Sequence, residues 1–362
     1  MSVFFGILML AYILGNVYVF MRMLRCISGW SCAARVSVSV LFWLGATSLF
    51  IAMALRHVAL PYDVHSALFL TGGSWMAFAL YMVPALVLAD LSCIVFPKLK
   101  KCSFVLAFVP VVCLLVAGNL RYRNPEVNII DVQLDKPLSG GPVRVVAVSD
   151  VHLGFGTGKK DIRRYVDMIN AQSPDVVLIG GDLIDSSVQP LHSERMDEEL
   201  SALNAPLGVY MVPGNHEYIS GIDDCIGFLA KTPIVLLRDS VVTLECGLQI
   251  AGRDDRANLL RKSAGELLVS TDKSMPVFLL DHQPYGLAEN DALGIDVQFS
   301  GHTHGGQLWP GNLLVRRMYE QATGWKRWEH AFVYVSSGLS LWGPPFRIGT
   351  SSDMAVLVLH GK

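Results

Sequence analysis

The stretch from residue 145 to residue 152 reads Val-Val-Ala-Val-Ser-Asp-Val-His and decides the fold of the chain that follows it. Its four small apolar residues, three of them β-branched, favour a buried strand. The strand runs straight into Asp150 and His152, so it brings a carboxylate and an imidazole to one edge of a sheet. Both side chains are common metal ligands, and the later residues need only supply the remaining ones.

Ligand-type side chains also follow four later strands that the sequence predicts, each a short run of apolar residues. Neighbouring strands bring their carboxyl ends to one edge of a sheet, where α/β proteins place their sites. The glycines beside these residues let the backbone turn sharply. The five predicted strands and the segments after them are 143–148 with Asp150-Val151-His152, 176–179 with Gly181-Asp182-Leu183-Ile184-Asp185, 209–212 with Gly214-Asn215-His216-Glu217, 277–280 with Asp281-His282, and 297–300 with Gly301-His302-Thr303-His304.

A helix is predicted between the first two of these strands, because the apolar residues at 162, 165, 166 and 169 share one helix face. Strands that alternate with helices early and predominate later indicate an α/β domain with much of its sheet buried on both faces. A second helix is predicted around 196–203, and further strands are predicted at 241–244, 248–251, 332–335 and 354–359.

The N-terminal third is a predicted membrane region. Four uncharged stretches are each long enough to cross about 30 Å of hydrocarbon. They are 1–21, 36–55, 66–89 and 102–120. The first lacks a basic leading region and a small-residue cleavage site before Arg22, which favours a retained helix over a cleavable signal. We predict a four-helix transmembrane region at 1–123 and a globular domain at 124–362, with Asn124-Pro125 as the hinge.

Charge is distributed unevenly, because residues 1–123 hold nine basic and two acidic residues of the totals of 29 and 31. The globular domain is therefore acidic, and no basic patch favours nucleic acid. Most of the basic residues lie in the loops after the first and third helices, which the positive-inside rule places in the cytoplasm. The globular domain is then expected outside the cytoplasm, although Arg121 and Arg123 favour the opposite orientation. Asp90 is interpreted as an interfacial side chain, in preference to a functional carboxylate inside the membrane, and Arg56 offsets Asp63 in the second loop.

Three histidines and two cysteines of the globular domain lie outside the strand-end motifs. His192, His330 and His360 have no strand-end context and are interpreted as ordinary surface or core residues. Cys225 and Cys246, the two cysteines of the globular domain, are expected as isolated thiols in preference to a disulfide. Oxygen and imidazole ligands without thiolate suit Mn, Fe or Zn in a site that is not purely structural. The candidates are too many for one ion, and two ions need a bridging carboxylate.

The ordered set Asp-x-His, Gly-Asp-x-x-Asp, Gly-Asn-His-Glu, a single His after a strand, and Gly-His-x-His resembles the calcineurin-like metallophosphoesterase superfamily. The resemblance runs from about Val143 to the C-terminus. With the preceding helices, the chain is similar to membrane-associated bacterial phosphoesterases and to transmembrane proteins with a metallophosphoesterase domain. The resemblance implies a four-layer αββα sandwich of two mixed sheets flanked by helices. It also implies a phosphodiesterase or phosphomonoesterase that binds two metal ions (Mn, Fe or Zn) and uses a bridging hydroxide as nucleophile.

The same resemblance assigns roles to individual residues. His216 would be the acid that protonates the leaving oxygen or would stabilise charge on the phosphoryl group, and Asp185 would orient it. Glu217 directly follows His216 and is interpreted as an outer-shell or structural residue. The implied ligands are Asp150, His152, Asp182 and His304 for one metal, and Asp182, Asn215, His282 and His302 for the second, with Asp182 bridging.

One departure narrows the substrate class. Phosphoprotein phosphatases of the superfamily continue the second motif with Arg-Gly, whereas this chain has Ser186-Ser187, which disfavours a protein-phosphatase role. Arg253 is interpreted either as a substitute phosphate contact or as a surface ion pair with a neighbouring acid. Residues 308–328 interleave aromatic and basic side chains, which would suit anionic lipid headgroups or the ordinary packing of a long loop. These are Trp309, Tyr319, Trp325 and Trp328 with Arg316, Arg317, Lys326 and Arg327.

The favoured hypothesis is a membrane-anchored, dinuclear metal-dependent phosphoester hydrolase. Membrane attachment favours lipid-linked phosphates or pyrophosphates, or envelope metabolites, as substrates, and soluble nucleotides are the alternative. A non-catalytic receptor or scaffold with the same fold is the alternative, and it is disfavoured because none of the implied ligands is missing. A third hypothesis makes the four helices a transport or sensing unit. Their few polar residues suit anchoring better.

Overall fold

The computed structural model describes residues 2–55, 58 and 60–362. Met1, where the first predicted span begins, and Arg56, assigned to the second loop, lie outside the described residues. Contacts divide the chain into two units. The first comprises the residues up to Leu120 together with Gly343–Phe346, and the second comprises Arg121–Trp342 and Arg347–Lys362.

The first unit contains four helices that are long and apolar enough to cross a membrane, as predicted. Gly72 lets two of them approach closely, since a Cβ there would lie 2.3 Å from the backbone nitrogen of Leu49. Asp90 is 36% exposed, pairs with Arg22 and accepts a hydrogen bond from the Tyr18 hydroxyl at 2.6 Å. The helices are α1 (Ser2–Cys26), α2 (Cys32–Ala54), α3 (Tyr62–Val95) and α4 (Ser103–Tyr122), with a 3₁₀ turn at Pro97–Lys101.

The second unit is built on two six-stranded sheets, each of which mixes parallel and antiparallel pairs. One has the order β1-β12-β2-β3-β4-β5, and the other has the order β10-β11-β9-β8-β7-β6. The strands are β1 (Glu126–Gln133), β2 (Val143–Val148), β3 (Val176–Ile179), β4 (Val209–Met211), β5 (Ile234–Leu236), β6 (Ser240–Thr243), β7 (Gln249–Gly252), β8 (Val277–Leu280), β9 (Val297–Ser300), β10 (Gly324–Arg327), β11 (Phe332–Val335) and β12 (Asp353–His360).

The core of this unit lies between the sheets. Val145 and Leu178 of the first sheet pack in one buried cluster with Phe278 and Phe299 of the second. Two helices cover the outer face of the second sheet, through Leu267 and through Leu287. The helices are α5 (Lys159–Asn170), α6 (Gln189–Ser193), α7 (Met196–Leu200), α8 (Asn215–Ser220), α9 (Ile222–Leu229), α10 (Ala264–Leu268), α11 (Leu287–Ala292) and α12 (Gly311–Met318).

These layers confirm the predicted α/β fold with its two mixed sheets and its preceding bundle of apolar helices. The predicted strands are all present, with ends that differ by at most one residue, and helix α5 buries the expected face. Three strands that the pattern does not predict are β1, β5 and β10. Each of the three is the edge strand of its sheet, and β10 is largely exposed. An edge strand needs no long buried apolar run, which is the signal that predicts the other strands.

Candidate active site

The strand-end side chains converge in two clusters. In the first, His152 Nε2 lies 3.1 Å from His304 Nε2, which is 3.4 Å from Asp150 Oδ1. In the second, His282 Nε2 lies 3.1 Å from Asp182 Oδ2. Asp182 Oδ2 is also 3.9 Å from His152 Nε2, so this one oxygen faces both clusters.

Asn215 joins the second cluster through its side-chain oxygen. Its Oδ1 lies 2.8 Å from Nδ1 of His302 and 3.2 Å from Nε2 of His282. All seven residues that the sequence analysis assigns to metal binding are therefore within direct reach of at least one other member.

The backbone places these groups by sharp turns. Five of the seven adopt positive φ, a region that non-glycine residues rarely enter and that costs roughly 1–3 kcal/mol per residue. Surrounding hydrogen bonds hold the turns, for example from the Asp150 and His152 backbone N–H groups to the Gly181 and Asp182 carbonyls, both at 3.0 Å. The five are Asp150 (φ 56°), His152 (51°), Asp182 (53°), His302 (70°) and His304 (49°).

Glu217 anchors the Asp182 turn from beneath. Its buried carboxylate accepts backbone hydrogen bonds from Asp182 at 3.0 Å, Ile184 at 2.9 Å and Gly214 at 2.7 Å. Burial and the nearby Asp182 charge raise the pKa of Glu217 to about 7, and the donors from Ile184 and Gly214 oppose that rise. Glu217 therefore has the structural role expected of it.

Close packing around the two carboxylates requires glycine at two positions. A Cβ on Gly214 would lie 2.1 Å from Asp182 Oδ1, and one on Gly301 would lie 2.3 Å from Asp150 Oδ2. Both contacts are far inside van der Waals distance. The glycines of these motifs thus make room for the carboxylates as well as for the turns.

The first cluster fits a cation. His152 is buried and His304 is half-buried, and the buried Nδ1 atoms of both have no hydrogen-bond partner among the described residues. Burial lowers the pKa of His152 to about 4, and burial together with the Arg347 charge lowers that of His304 well below its usual value. Both rings are therefore neutral near pH 7. A cation beside Asp150 would give both facing Nε2 atoms a partner.

The second cluster fits a cation by its charge balance. Burial raises the pKa of Asp182, but attraction to His282 outweighs it and the net pKa is lowered. Burial lowers the pKa of His282, but the Asp182 carboxylate outweighs it and the pKa is raised well above its usual value. His282 thus carries the positive charge that compensates Asp182 here. A bound cation would take over that role and release the proton.

His216 lies beside both clusters and differs from the ligand-type histidines. Its Nδ1 is 2.8 Å from Asp185 Oδ1, its ring meets the His152 ring edge-on, and its side chain is 15% exposed. Burial lowers the pKa of His216, but the Asp185 hydrogen bond and the Asp182 charge outweigh it, so the pKa is raised. His216 is therefore suited to carry a proton at the open side of the site.

Two aromatic rings flank the opening. Trp342, which is 49% exposed, lies 6.1 Å from the His216 ring, and Tyr319 lies 6.3 Å from the His302 ring. Trp342 could not be predicted from the sequence, because it has no motif around it and lies more than 120 residues from His216.

Arg347 is a second residue that the sequence analysis missed. It is 1% exposed, and its guanidinium donates hydrogen bonds to the carbonyls of His304 at 2.6 Å, Ser337 at 2.5 Å and Ser340 at 2.8 Å. Burial lowers the pKa of Arg347 to about 10. It fixes the backbone of His304 from a position 43 residues further along the chain, and no sequence signal marks it.

Arg253 forms an ion pair inside the domain. Its Nη1 donates to the buried Asp281 carboxylate at 2.9 Å, and Arg261 donates to the same carboxylate at 3.2 Å. Arg253 is half-buried, and Asp281 lies 28 residues away in sequence. The pair therefore differs from the expected surface pair with a neighbouring acid, and the role of Arg253 as a phosphate contact stays a prediction.

The remaining polar residues lie apart from the two clusters. The His192 ring contacts Phe228, and His360 lies 2.7 Å from Asp131 at the surface. Cys225 and Cys246 are both buried free thiols, as favoured by the sequence analysis.

In the aromatic and basic stretch of residues 308–328, some side chains are exposed and others pack against the domain. Trp325 is 58% exposed and stacks on Phe332, whereas Trp328 donates to the Gln321 side chain at 3.1 Å. Helix α12 has no buried residue. The exposed apolar side chains of α12, together with Trp309 and Trp325, form the apolar surface of this stretch, whereas Trp328 is less exposed.

The fold and the site define a class of protein: an α/β sandwich with two acid and histidine clusters at the strand ends, joined by one carboxylate. The family model for calcineurin-like phosphoesterases matches residues 143–306. The chain belongs to the calcineurin-like metallophosphoesterase family.

Relatives match a longer part of the chain than the family model does. A metallophosphoesterase of Campylobacter jejuni is 34% identical over 251 residues, which cover 67% of this chain and 66% of the relative. One from Aquifex aeolicus is 30% identical over 242 residues, covering 64% of this chain and 90% of the relative. A Danio rerio transmembrane protein with a metallophosphoesterase domain is 34% identical over 276 residues, covering 70% and 62%. The chain thus spans slightly less than two thirds of the first and third relatives.

We expect the Asp185→Asn substitution to lower the pKa of His216, because the carboxylate that stabilises the imidazolium is replaced by a neutral amide. The pKa is measured in metal-free full-length protein by side-chain NMR of labelled histidine, with the signal assigned by its loss in His216→Ala. Asp131→Asn, far from the site, is the matched control. An unchanged His216 pKa in Asp185→Asn would contradict the geometry.

Proposed function

We propose that this protein is a metal-dependent phosphoester hydrolase that cleaves phosphodiesters or phosphomonoesters with two metal ions. The observation that carries the proposal is the single Asp182 oxygen that faces both ligand clusters. Asp150, His152 and His304 would hold one ion, and Asn215, His282 and His302 would hold the other. Since nitrogen and oxygen donors are the only ligands in both clusters, Mn, Fe or Zn would suit them.

Two bound cations would polarise the phosphoryl oxygens and lower the pKa of a shared water, which becomes the attacking group. His216 would donate a proton to the leaving oxygen, since its imidazole lies at the open side of the site with a raised pKa. Asp185 would hold the His216 ring through Nδ1, which leaves Nε2 for the substrate. No protein nucleophile is needed.

We expect Asp182→Ala and His216→Ala to abolish hydrolysis of an aryl phosphodiester or monoester for different reasons. Asp182→Ala removes the shared carboxylate, so bound metal should also fall. His216→Ala should lower kcat by about 10²–10⁴-fold, the usual contribution of a general acid, while metal content stays near that of the wild type. Activity and metal content are measured on the same samples of full-length protein.

His330→Ala is the control, because His330 is exposed and has no place in either cluster. Full activity in both Asp182→Ala and His216→Ala would contradict the enzyme assignment. A wild-type protein that binds no transition metal would instead favour the receptor or scaffold alternative.

We also propose that the protein is a multi-pass membrane protein with its globular domain outside the cytoplasm. Arg25 and Arg35 flank the α1–α2 connection, and Lys98, Lys100 and Lys101 lie in the turn between α3 and α4. Both connections are on the same side of the membrane if all four helices span it, and the positive-inside rule makes that side cytoplasmic.

A C-terminal alkaline phosphatase fusion is expected to be active, because that reporter folds only outside the cytoplasm. A C-terminal green fluorescent protein fusion is expected to be dark when exported through the same route. The matched control is a pair of fusions in the α3–α4 turn, where the opposite result is expected. A fluorescent C-terminal fusion would contradict the proposed orientation and place the globular domain in the cytoplasm.

The substrate is proposed to be a lipid-linked or envelope phosphate. Only residues 123–125 separate α4 from β1, so the globular domain follows the last apolar helix directly in the chain. Helix α12 exposes Leu313, Leu314 and Met318 beside Arg316 and Arg317, a combination that suits an anionic bilayer surface.

Leu314→Asp is expected to raise the KM for a phospholipid substrate in anionic mixed micelles, while the KM for a soluble aryl phosphate stays unchanged. The carboxylate would be repelled by the micelle and would lose apolar contact with it. Val269→Asp is the control, because Val269 is 84% exposed on another part of the unit. Equal effects of the two substitutions on the lipid substrate would argue against α12 as the lipid-facing surface.

A further inference from the structure

The loop that follows β7 contains a second arginine, Arg256, whose surroundings differ from those of Arg253. Arg256 is exposed, and its guanidinium lies 4.4 Å from the centre of the Tyr285 ring. Among the residues that the structure describes, no carboxylate lies within ion-pair distance of it. Its positive charge is therefore available to a ligand, whereas that of Arg253 is neutralised by Asp281.

The backbone around Arg256 is held on both sides. Asp254 accepts hydrogen bonds from the Tyr218 hydroxyl at 2.6 Å and from Arg238 at 3.0 Å. The Asp255 carboxylate accepts from the Ala257 backbone N–H and from the Gln283 side chain, both at 2.8 Å. The guanidinium thus starts from a fixed backbone and rests on an aromatic face, so little side-chain freedom would be lost on binding.

A continuous row of side chains leads from Arg256 to the second cluster. The Tyr285 hydroxyl donates to Tyr319 at 3.1 Å, and the two rings are 4.9 Å apart. Tyr319 lies 6.3 Å from His302. Arg256 is therefore linked to the second cluster on its His302 side, through Tyr285 and Tyr319.

We propose that Arg256 binds a second anionic group of the substrate, a phosphate other than the one that is cleaved. This inference rests on the proposed hydrolase function. It makes the preferred substrate an ester of a diphosphate or longer polyphosphate, with one phosphate at the two clusters and a further one on the guanidinium. A planar guanidinium can bind phosphate oxygens with two parallel hydrogen bonds. Tyr285 and Tyr319 would line the path between the two phosphates.

The test compares a one-phosphate ester, bis(p-nitrophenyl) phosphate, with dinucleoside polyphosphates of two, three and four phosphates, using full-length protein loaded with Mn. Arg256→Gln is expected to raise the KM for at least one polyphosphate roughly tenfold or more, as one charge-assisted contact would. Its KM for bis(p-nitrophenyl) phosphate is expected to stay within about twofold. The number of phosphates in the substrate with the largest change in KM indicates the spacing between the two phosphate sites.

Two variants accompany Arg256→Gln. Arg256→Lys keeps the charge but loses the planar, bidentate geometry, so an intermediate KM is expected. Lys273→Gln removes one exposed positive charge from another part of the unit and is expected to have no effect. Thermal unfolding of Arg256→Gln should match the wild type, which separates a binding effect from a folding effect.

The outcomes distinguish the two proposals. If the wild type cleaves none of these esters, the hydrolase function fails. If it cleaves the one-phosphate ester but no polyphosphate, or if Arg256→Gln changes the KM of all substrates equally or of none, the second anionic site is overturned while the hydrolase function stands.

Discussion

The Asp182 carboxylate is the group on which the rest of the site depends. Its Oδ1 accepts the His216 backbone N–H at 2.8 Å, and its Oδ2 faces both ligand clusters. A buried carboxylate is costly unless it is surrounded by donors or cations. The left-handed turn at Asp182, its anchor on Glu217 and the absence of a side chain at Gly214 all follow from that requirement. With Asp182 included, the first cluster therefore needs three strand ends in place, and the second needs four.

Features that depend on residues adjacent in sequence could be predicted, whereas contacts between residues distant in sequence could not. The ligand residues stand directly after buried apolar runs, so Asp150 or His282 can be identified from a few neighbours in sequence. Arg347 holds the His304 carbonyl from 43 residues away, and Trp342 meets His216 across more than 120 residues. Such contacts exist only after the sheets have packed. The unpredicted strand β10 is similar, because its exposed residues become a strand only through pairing with β11.

The arginines of this domain show how the same side chain takes different roles according to burial. Arg253 and Arg261 neutralise Asp281 beside His282, and removing either would leave a charge buried without its full complement. Arg347 satisfies backbone carbonyls behind His304. These three arginines already have partners inside the domain. Where the protein-phosphatase motif continues with Arg-Gly, this chain has Ser186-Ser187.

A short segment late in the chain, Gly343–Phe346, belongs to the first unit, although the residues on both sides of it belong to the second. Within six residues the chain passes from Trp342 at the rim, through Gly343–Phe346 in the first unit, to Arg347 behind His304. In the first unit the Asn119 side chain donates to the Pro345 carbonyl at 2.8 Å. A fragment beginning at residue 124 would retain Gly343–Phe346 but lose Asn119 and the helices around it. Trp342, before that segment, lies 6.1 Å from the His216 ring, and Arg347, after it, donates to the His304 carbonyl at 2.6 Å. Such a fragment therefore keeps the described contacts of His216 and His304, and what it loses is the Asn119 donor of the Pro345 carbonyl.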